Sequence, residues 1–151
     1  MNDFEQRVRS FMQRAMQDTP ESPTIPDFNT RKLRAALILE EAIETIEALG
    51  FEVKGDEAHG VYFDELGSPD LVKIADGCCD VMVVTLGTLI ACGLKQEPLM
   101  VEVCNSNDSK FADGYYINSI GKVIKSPNYK PANFLKVLQE HFGWTNTDSA
   151  S

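Results

Sequence analysis

The sequence predicts an all-α fold: a bundle of four to five helices with one small β-hairpin appended, built as a single domain over residues 1–143. Three observations carry this expectation. Apolar residues recur at helical spacing in several segments separated by Gly and Pro. One such segment, opening near residue 70, is apolar almost all round, as in a buried helix. Strand-like runs flanking a compact turn are confined to a stretch near residue 120.

Residues 3–17 place Phe4, Val8, Phe11, Met12 and Ala15 on one face, which predicts an amphipathic first helix. Pro20, Pro23 and Pro26 lack the amide proton that regular structure needs, so Asp18 to Asp27 reads as a loop. Asn29 or Thr30 is placed to cap a second helix, roughly 30–49, closed by Gly50. Residues 51–68 are mixed and contain glycine, and are expected to form a long loop with some irregular helix. Ser68 or Asp70 opens a third helix that runs to about Ile90, with Gly87 as a close-packing point and Gly93 as its stop. Gln96 to Phe111 reads as a fourth helix. Tyr115 to Ile117 and Lys122 to Ile124, joined by Asn118-Ser119-Ile120-Gly121, form the expected hairpin. A loop bearing Pro127 and Pro131 leads to a last helix, about 132–141, and residues 144–151 are a polar, frayed tail.

At 151 residues, 43% hydrophobic and 25% charged, the composition is that of one globular domain. A net charge of −9 argues against a nucleic-acid polymer or an anionic membrane as partner, because long-range repulsion opposes both. A small phosphate ester is still compatible if divalent cations bridge the like charges. The start, Met-Asn-Asp-Phe-Glu, lacks the basic and apolar regions of a secretion signal, and the apolar-rich stretch Val81 to Gly93 is too short to span a bilayer. Cys78, Cys79, Cys92 and Cys104 contain no C-x-x-C pair and are expected to be buried, reduced thiols, which favours a cytoplasmic setting.

In the second helix Glu40, Glu41, Glu44 and Glu47 fall together, continuing the line of Leu33 and Leu37. The ordinary reading of such a stripe is a solvated outer face. Yet no Lys or Arg occurs from Ala35 to Val53, so no i,i+4 ion pair relieves the crowding. In the third helix Asp76 and Asp80 sit one turn apart among apolar residues, and burying an unpaired carboxylate costs several kcal/mol. Lys73 could pair with Asp76 but not readily with Asp80 as well. A metal ion shared with the glutamates satisfies all of these groups, and hard oxygen ligands select Mg²⁺, Mn²⁺ or Ca²⁺.

These residues resemble the all-α NTP pyrophosphatase superfamily, which includes MazG-like, dimeric dUTPase-like and phosphoribosyl-ATP pyrophosphohydrolase-like enzymes. The first half of the signature, E-E-x-x-E, stands as Glu40-Glu41-Ala42-Ile43-Glu44, preceded by Leu33-Arg34. In the MazG second half, E-x-x-D, Asp80 fits the aspartate while Gly77 occupies the glutamate position; Asp76 gives D-x-x-x-D instead, similar to the phosphoribosyl-ATP pyrophosphohydrolase-like branch. That branch's S-N-x-S-K stands as Ser106-Asn107-Asp108-Ser109-Lys110, and its G-K-V-x-K as Gly121-Lys122-Val123-Ile124-Lys125, before Tyr129 and Pro131. Cys104 and Asn105 stand where the branch often has histidine and arginine.

The resemblance implies a MazG-like fold and hydrolysis of a nucleoside triphosphate to the monophosphate and pyrophosphate, with Mg²⁺ (or Mn²⁺) bound between the second and third helices. It implies Glu41, Glu44 and Asp80 as ligands of the principal ion, Asp76 as a ligand or outer partner, and Glu40 as holder of a second ion or of the attacking water. Asn107, Lys110, Lys122 and Lys125 are candidates for the substrate phosphates, and Tyr129 for a further substrate contact. His59 and His141 carry no expected role. Nucleotide-pool housecleaning is the first reading; phosphoribosyl-ATP pyrophosphohydrolase of histidine biosynthesis and a non-catalytic helical interaction module are the alternatives. A ferritin-like di-iron site needs paired E-x-x-H motifs, and no Glu here has a His three residues later. A single bundle of this length leaves apolar helix surface uncovered, so a homodimer or a dimer of dimers is expected.

Overall fold

The structure, a computed structural model, describes residues 2–58 and 60–145. Five helices run α1 (Asp3–Arg14), α2 (Phe28–Ala48), α3 (Leu71–Ala91), α4 (Gln96–Asp108) and α5 (Phe134–Phe142). Two separate two-stranded antiparallel hairpins accompany them, β1–β2 (Phe51–Asp56, Gly60–Glu65) and β3–β4 (Tyr116–Ile117, Val123–Ile124). The fold is mainly helical, as the periodicity predicts.

Capping side chains set the starts. Asn2 Oδ1 accepts from the Glu5 N–H at 2.8 Å and opens α1. Asp27, not Asn29 or Thr30, caps α2, its Oδ1 accepting from the Thr30 N–H at 2.7 Å. Asp70 caps α3 by accepting from the Val72 and Lys73 amides. The α4 start has no side-chain cap of its own; instead Glu5, wholly buried on α1, accepts from the Gln96 N–H at 3.3 Å. That bond ties the first and fourth helices together. The expected fourth helix ends early, its last turn tightening into a 3-10 segment over Ser109–Phe111.

Residues 51–68 correct the expectation of a loop. They hold the β1–β2 hairpin, whose register pairs Phe51 with Glu65 and Val53 with Phe63. Phe51, Val53, Val61 and Phe63 fall on one face; Glu52, Lys54, Tyr62 and Asp64 fall on the other. Lys54 bridges Glu52 at 3.3 Å and Asp64 at 2.9 Å, closing the polar face. The Gly50 carbonyl accepts from the Leu66 N–H at 2.8 Å, pinning the hairpin base to the end of α2.

The core is narrow. Val8, Met12, Leu86, Ile90 and Ala91 form it, with Val83 and Leu89 packed against it. Arg34 of α2 is buried beside them, its Nη2 donating to Gln17 Oε1 at 2.7 Å, in space that a side chain at Gly87 would fill. The third helix is therefore not buried all round. Its second half packs between α1 and α2, whereas Leu71 and Val72 are 80% and 79% exposed. Cys78, Cys79 and Cys104 are exposed and Cys92 half-buried, which corrects the expectation of four buried thiols; all four are free. Burial raises the Cys92 thiol pKa. By length and composition α3 is long and apolar enough to cross a membrane, unlike the shorter stretch read from sequence, but its packing along α2 makes it a bundle helix.

The chain exposes 10719 Å². A compact monomer of this mass would expose roughly 7,600 Å². Large apolar side chains on α2, α3, α4 and both hairpins stand exposed. Residues 146–151 of the expected tail, and His59, lie outside the described residues; Trp144 is held by an N–H bond to the Leu138 carbonyl at 3.1 Å.

Candidate functional site

Helices α2 and α3 pack against each other with a close approach at Gly77. A Cβ there would stand 2.5 Å from Thr45 Oγ1 and 3.1 Å from Thr45 Cα. This explains why the MazG-type glutamate position is filled by glycine: no side chain fits while the helices stay this near. Asp76 then supplies a carboxylate from the preceding position.

The approach forms a cleft of about 560 Å³ lined by Glu44, Glu47, Asp76 and Asp80, with Lys73, Asp70 and the hairpin base at Leu66 and Ser68 along its length. Glu41 faces the same group. Desolvation, then the negative charges of Asp80, Glu44, Glu40 and Asp76, raise its pKa above the ordinary glutamate value. Each of those carboxylates belongs to one of the two acidic motifs. Among the described residues none of Glu40, Glu41, Glu44, Asp76 or Asp80 forms an ion pair, and the Lys73–Asp76 pairing weighed from sequence is not made. The carboxylates are spread along the cleft, and no group of three or more His, Cys, Asp or Glu among the described residues stands preassembled around one metal position. As a donor set they fit a hard divalent cation in chemistry: oxygen only, anionic, and, among the described residues, in no ion pair with Lys73, which lines the same cleft. Glu47, which the sequence places in the acidic stripe without a ligand role, also lines the cleft.

A second cluster lies at the far end of α4. Asn107, Lys110, Phe111, Lys122, Val123, Ile124, Lys125 and Tyr129 line a groove of about 790 Å³. All five residues expected to contact substrate are thus brought together. Lys110 Nζ donates to Asn107 Oδ1 at 2.7 Å. The Tyr129 ring has Lys125 Nζ 4.5 Å and Lys110 Nζ 6.0 Å from its centre, and its hydroxyl accepts from Ser106 Oγ at 3.4 Å. The scaffold is a set of bonds that sequence reasoning missed. Buried Ser126 donates from its amide to the Lys110 carbonyl at 3.1 Å and from its hydroxyl to the Asp113 carbonyl at 2.7 Å, while Ser109 Oγ accepts from the Lys130 amide at 2.9 Å. These lock the β3–β4 hairpin to the end of α4. Among the described residues none of Lys110, Lys122 and Lys125 has a carboxylate partner.

None of the curated proteins matches the chain closely enough to count as a relative. Residues 6–107, from α1 through nearly all of α4, match the family model for phosphoribosyl-ATP pyrophosphohydrolase. The match contains both acidic motifs and stops just before Lys110. The chain therefore belongs to the phosphoribosyl-ATP pyrophosphohydrolase family of the all-α NTP pyrophosphatases, pyrophosphohydrolases that act on a phosphoanhydride.

Proposed function

We propose that the chain hydrolyses phosphoribosyl-ATP to the corresponding monophosphate and pyrophosphate, with Mg²⁺ as cofactor and Mn²⁺ as its substitute. The observation that carries this reading is one cleft, inside the matched segment, faced by carboxylates of two helices that no cation of the chain neutralises. This choice reverses the order reached from sequence, where general nucleotide housecleaning came first. The family match favours phosphoribosyl-ATP.

Glu41, Glu44 and Asp80 would hold the principal ion, with Asp76 as a further ligand or outer partner. An ion held there would supply charge neutralisation at the phosphates and a lowered pKa for a bound water. Glu40, which is exposed, would hold a second ion or orient that water and take its proton. The water oxygen bonds to the α-phosphorus, the bond to the bridging oxygen breaks, and pyrophosphate leaves. Lys110, Lys122 and Lys125, with Asn107, take the outer phosphates; an ammonium on a phosphate oxygen is a charge-assisted bond. Tyr129 holds the lysines in place by its ring. A homodimer or a dimer of dimers and a cytoplasmic setting belong to the same proposal.

One observation favours a second reading, hydrolysis of a common (d)NTP in nucleotide-pool housecleaning. Apart from Asn107, at its very end, the matched segment does not include the groove, so the three lysines are not among the residues by which the family was identified. Pyrophosphate release from phosphoribosyl-ATP and from a panel of NTPs and dNTPs, with Mg²⁺, separates the two. The first reading expects kcat/KM highest for phosphoribosyl-ATP; a dNTP preferred over it would establish the second. Glu41→Gln or Asp80→Asn is expected to lower turnover by more than the roughly 10–100-fold typical of outer-shell changes, with helical circular dichroism kept. Full turnover in both variants would remove the cleft from the reaction.

A further inference from the structure

Glu5 of α1 is the one buried carboxylate among the described residues, and it lies outside the cleft. Its Oε2 accepts from the Gln96 N–H at 3.3 Å, while Oε1 is buried without a hydrogen-bond partner. Among the described residues no ion pair offsets the charge. Arg9, one turn along α1, donates instead to the Thr19 carbonyl at 3.0 Å and to Glu21 Oε1 at 3.1 Å. A carboxylate so placed costs stability, and an apolar side chain of similar volume would commonly serve the packing as well or better. Stability therefore does not account for it.

What the carboxylate does, and an apolar group could not, is hold α4. Lys95, at the N-cap, makes no side-chain bond, so Glu5 is the side chain that meets the unpaired amides at the positive end of that helix. Among the described residues this is also the only hydrogen bond from α1, α2 or α3 to α4. The short link from α3 turns through Gly93 at φ +70°, and α4 then packs chiefly on α5 and the 3-10 turn. Gln96 stands at one end of α4; Asn107 and Lys110 stand at the other end and just beyond it. At 1.5 Å per residue this is a lever of about 20 Å, so a tilt of about 10° at its start would carry the lysine end by about 3 Å. A hydrogen bond does not survive such a displacement.

Resting on the reading that Asn107 and the lysines take substrate phosphate, we propose that Glu5 is a positioning residue for the reaction. It touches neither substrate nor metal. By holding the Gln96 amide it fixes the angle at which α4 carries Asn107, Lys110 and the hairpin locked to them.

The reach of the side chain, not its charge, is then what matters. Glu5→Gln keeps an acceptor at the same reach; Glu5→Asp keeps the charge but draws the oxygens back by one methylene. Pyrophosphate release is measured with Mg²⁺ and the nucleotide preferred in the panel above. Glu5→Asp is expected to raise KM about fivefold, the loss of roughly one hydrogen bond, with kcat within about twofold of wild type. Glu5→Gln should keep both constants. Added to Lys122→Ala/Lys125→Ala, Glu5→Asp should raise KM little further, because both changes act on the same contacts. Glu5→Met, of similar length and with no charge left buried, replaces Glu5→Asp if that variant does not fold. Wild-type KM in Glu5→Asp beside a raised KM in the lysine variant overturns the inference. So do equal effects of Glu5→Gln and Glu5→Asp, effects that multiply in the combined variant, or failure of both Glu5→Asp and Glu5→Met to fold. Wild-type KM in the lysine variant itself would instead count against the phosphate groove, the reading on which the inference rests.

Discussion

At the scale of single residues, two carboxylates, one capping α2 and one within it, respond to pH with opposite sign. Asp27 accepts the Thr30 amide, first by a backbone hydrogen bond, and its pKa is lowered. Its contribution to stability is present above the ordinary aspartate value and is lost as pH falls through the lower folded value. Glu41 has a raised pKa, so the folded chain holds its proton more tightly than the unfolded chain does. Its contribution is fully present below the ordinary glutamate value and is lost as pH rises through the raised folded value. At neutral pH without divalent ions, Glu41 therefore works against folding. Glu41→Gln is expected to melt higher than wild type in EDTA at pH 7, with the two curves converging at acid pH, and Asp27→Ala to melt lower than wild type at pH 7. Adding Mg²⁺ should raise the wild-type midpoint and leave Glu41→Gln nearly unmoved, because only an ion that binds the native state shifts it. Melting curves across pH, with and without Mg²⁺, check all three. A Glu41→Gln midpoint below wild type in EDTA would mean that the carboxylate is relieved by a partner rather than repelled.

Among the elements, the β3–β4 hairpin is small enough that one side chain governs it. Asn118 Oδ1 accepts from the Lys122 amide at 2.8 Å and the Ile120 amide at 3.2 Å, and Gly121 takes a φ of +80° that completes the turn. Asn118→Ala removes the oxygen that accepts both bonds and frees Lys122 from its position in the groove. With about 1 kcal/mol lost for each of the two hydrogen bonds, KM should rise by up to roughly 30-fold while kcat falls less, as befits a group that positions phosphate and does not touch the reacting atom. Equal falls in kcat and kcat/KM would place the hairpin in the chemistry itself. This hairpin was legible in sequence because a turn-forming Asn and Gly separate two apolar runs. The β1–β2 hairpin was not, because Gly55 interrupts its first strand and Lys54 puts a charge in the middle. That lysine is the strand's anchor, bridging Glu52 and Asp64, and its partner Asp64 is ten residues away, beyond what local alternation reveals. The acidic residues of α2 and α3 were legible as a group because helical spacing fixes which side chains share a face. How far along the cleft each carboxylate sits was not, since that depends on the helix approach set by Gly77 and Thr45.

For the whole molecule, burial is the property that a single chain's sequence describes least well. The apolar pattern of α3 predicts a covered helix, yet Leu71, Val72 and Met82 stand exposed, as do Met100 and Val101 on α4 and the free thiols of Cys78 and Cys79. Sequence patterning records what the assembled protein buries, and one protomer supplies only part of the cover. On that account apolar side chains of α3 and α4 are interface, not solvent-facing surface, and the chain should be a homodimer or a dimer of dimers at micromolar concentration. Two consequences separate this from a monomer with greasy sides. Thermal unfolding should depend on protein concentration, its midpoint rising as the chain is made more concentrated, because association favours the native state by mass action. Met82→Glu, which places a charge on the apolar side of α3 away from the acidic motifs, should shift the protein to monomer in sedimentation velocity. Each unpaired charge buried at such an interface costs several kcal/mol, enough to disfavour association strongly. A concentration-independent midpoint together with a monomeric wild-type chain would mean that this apolar surface faces water after all.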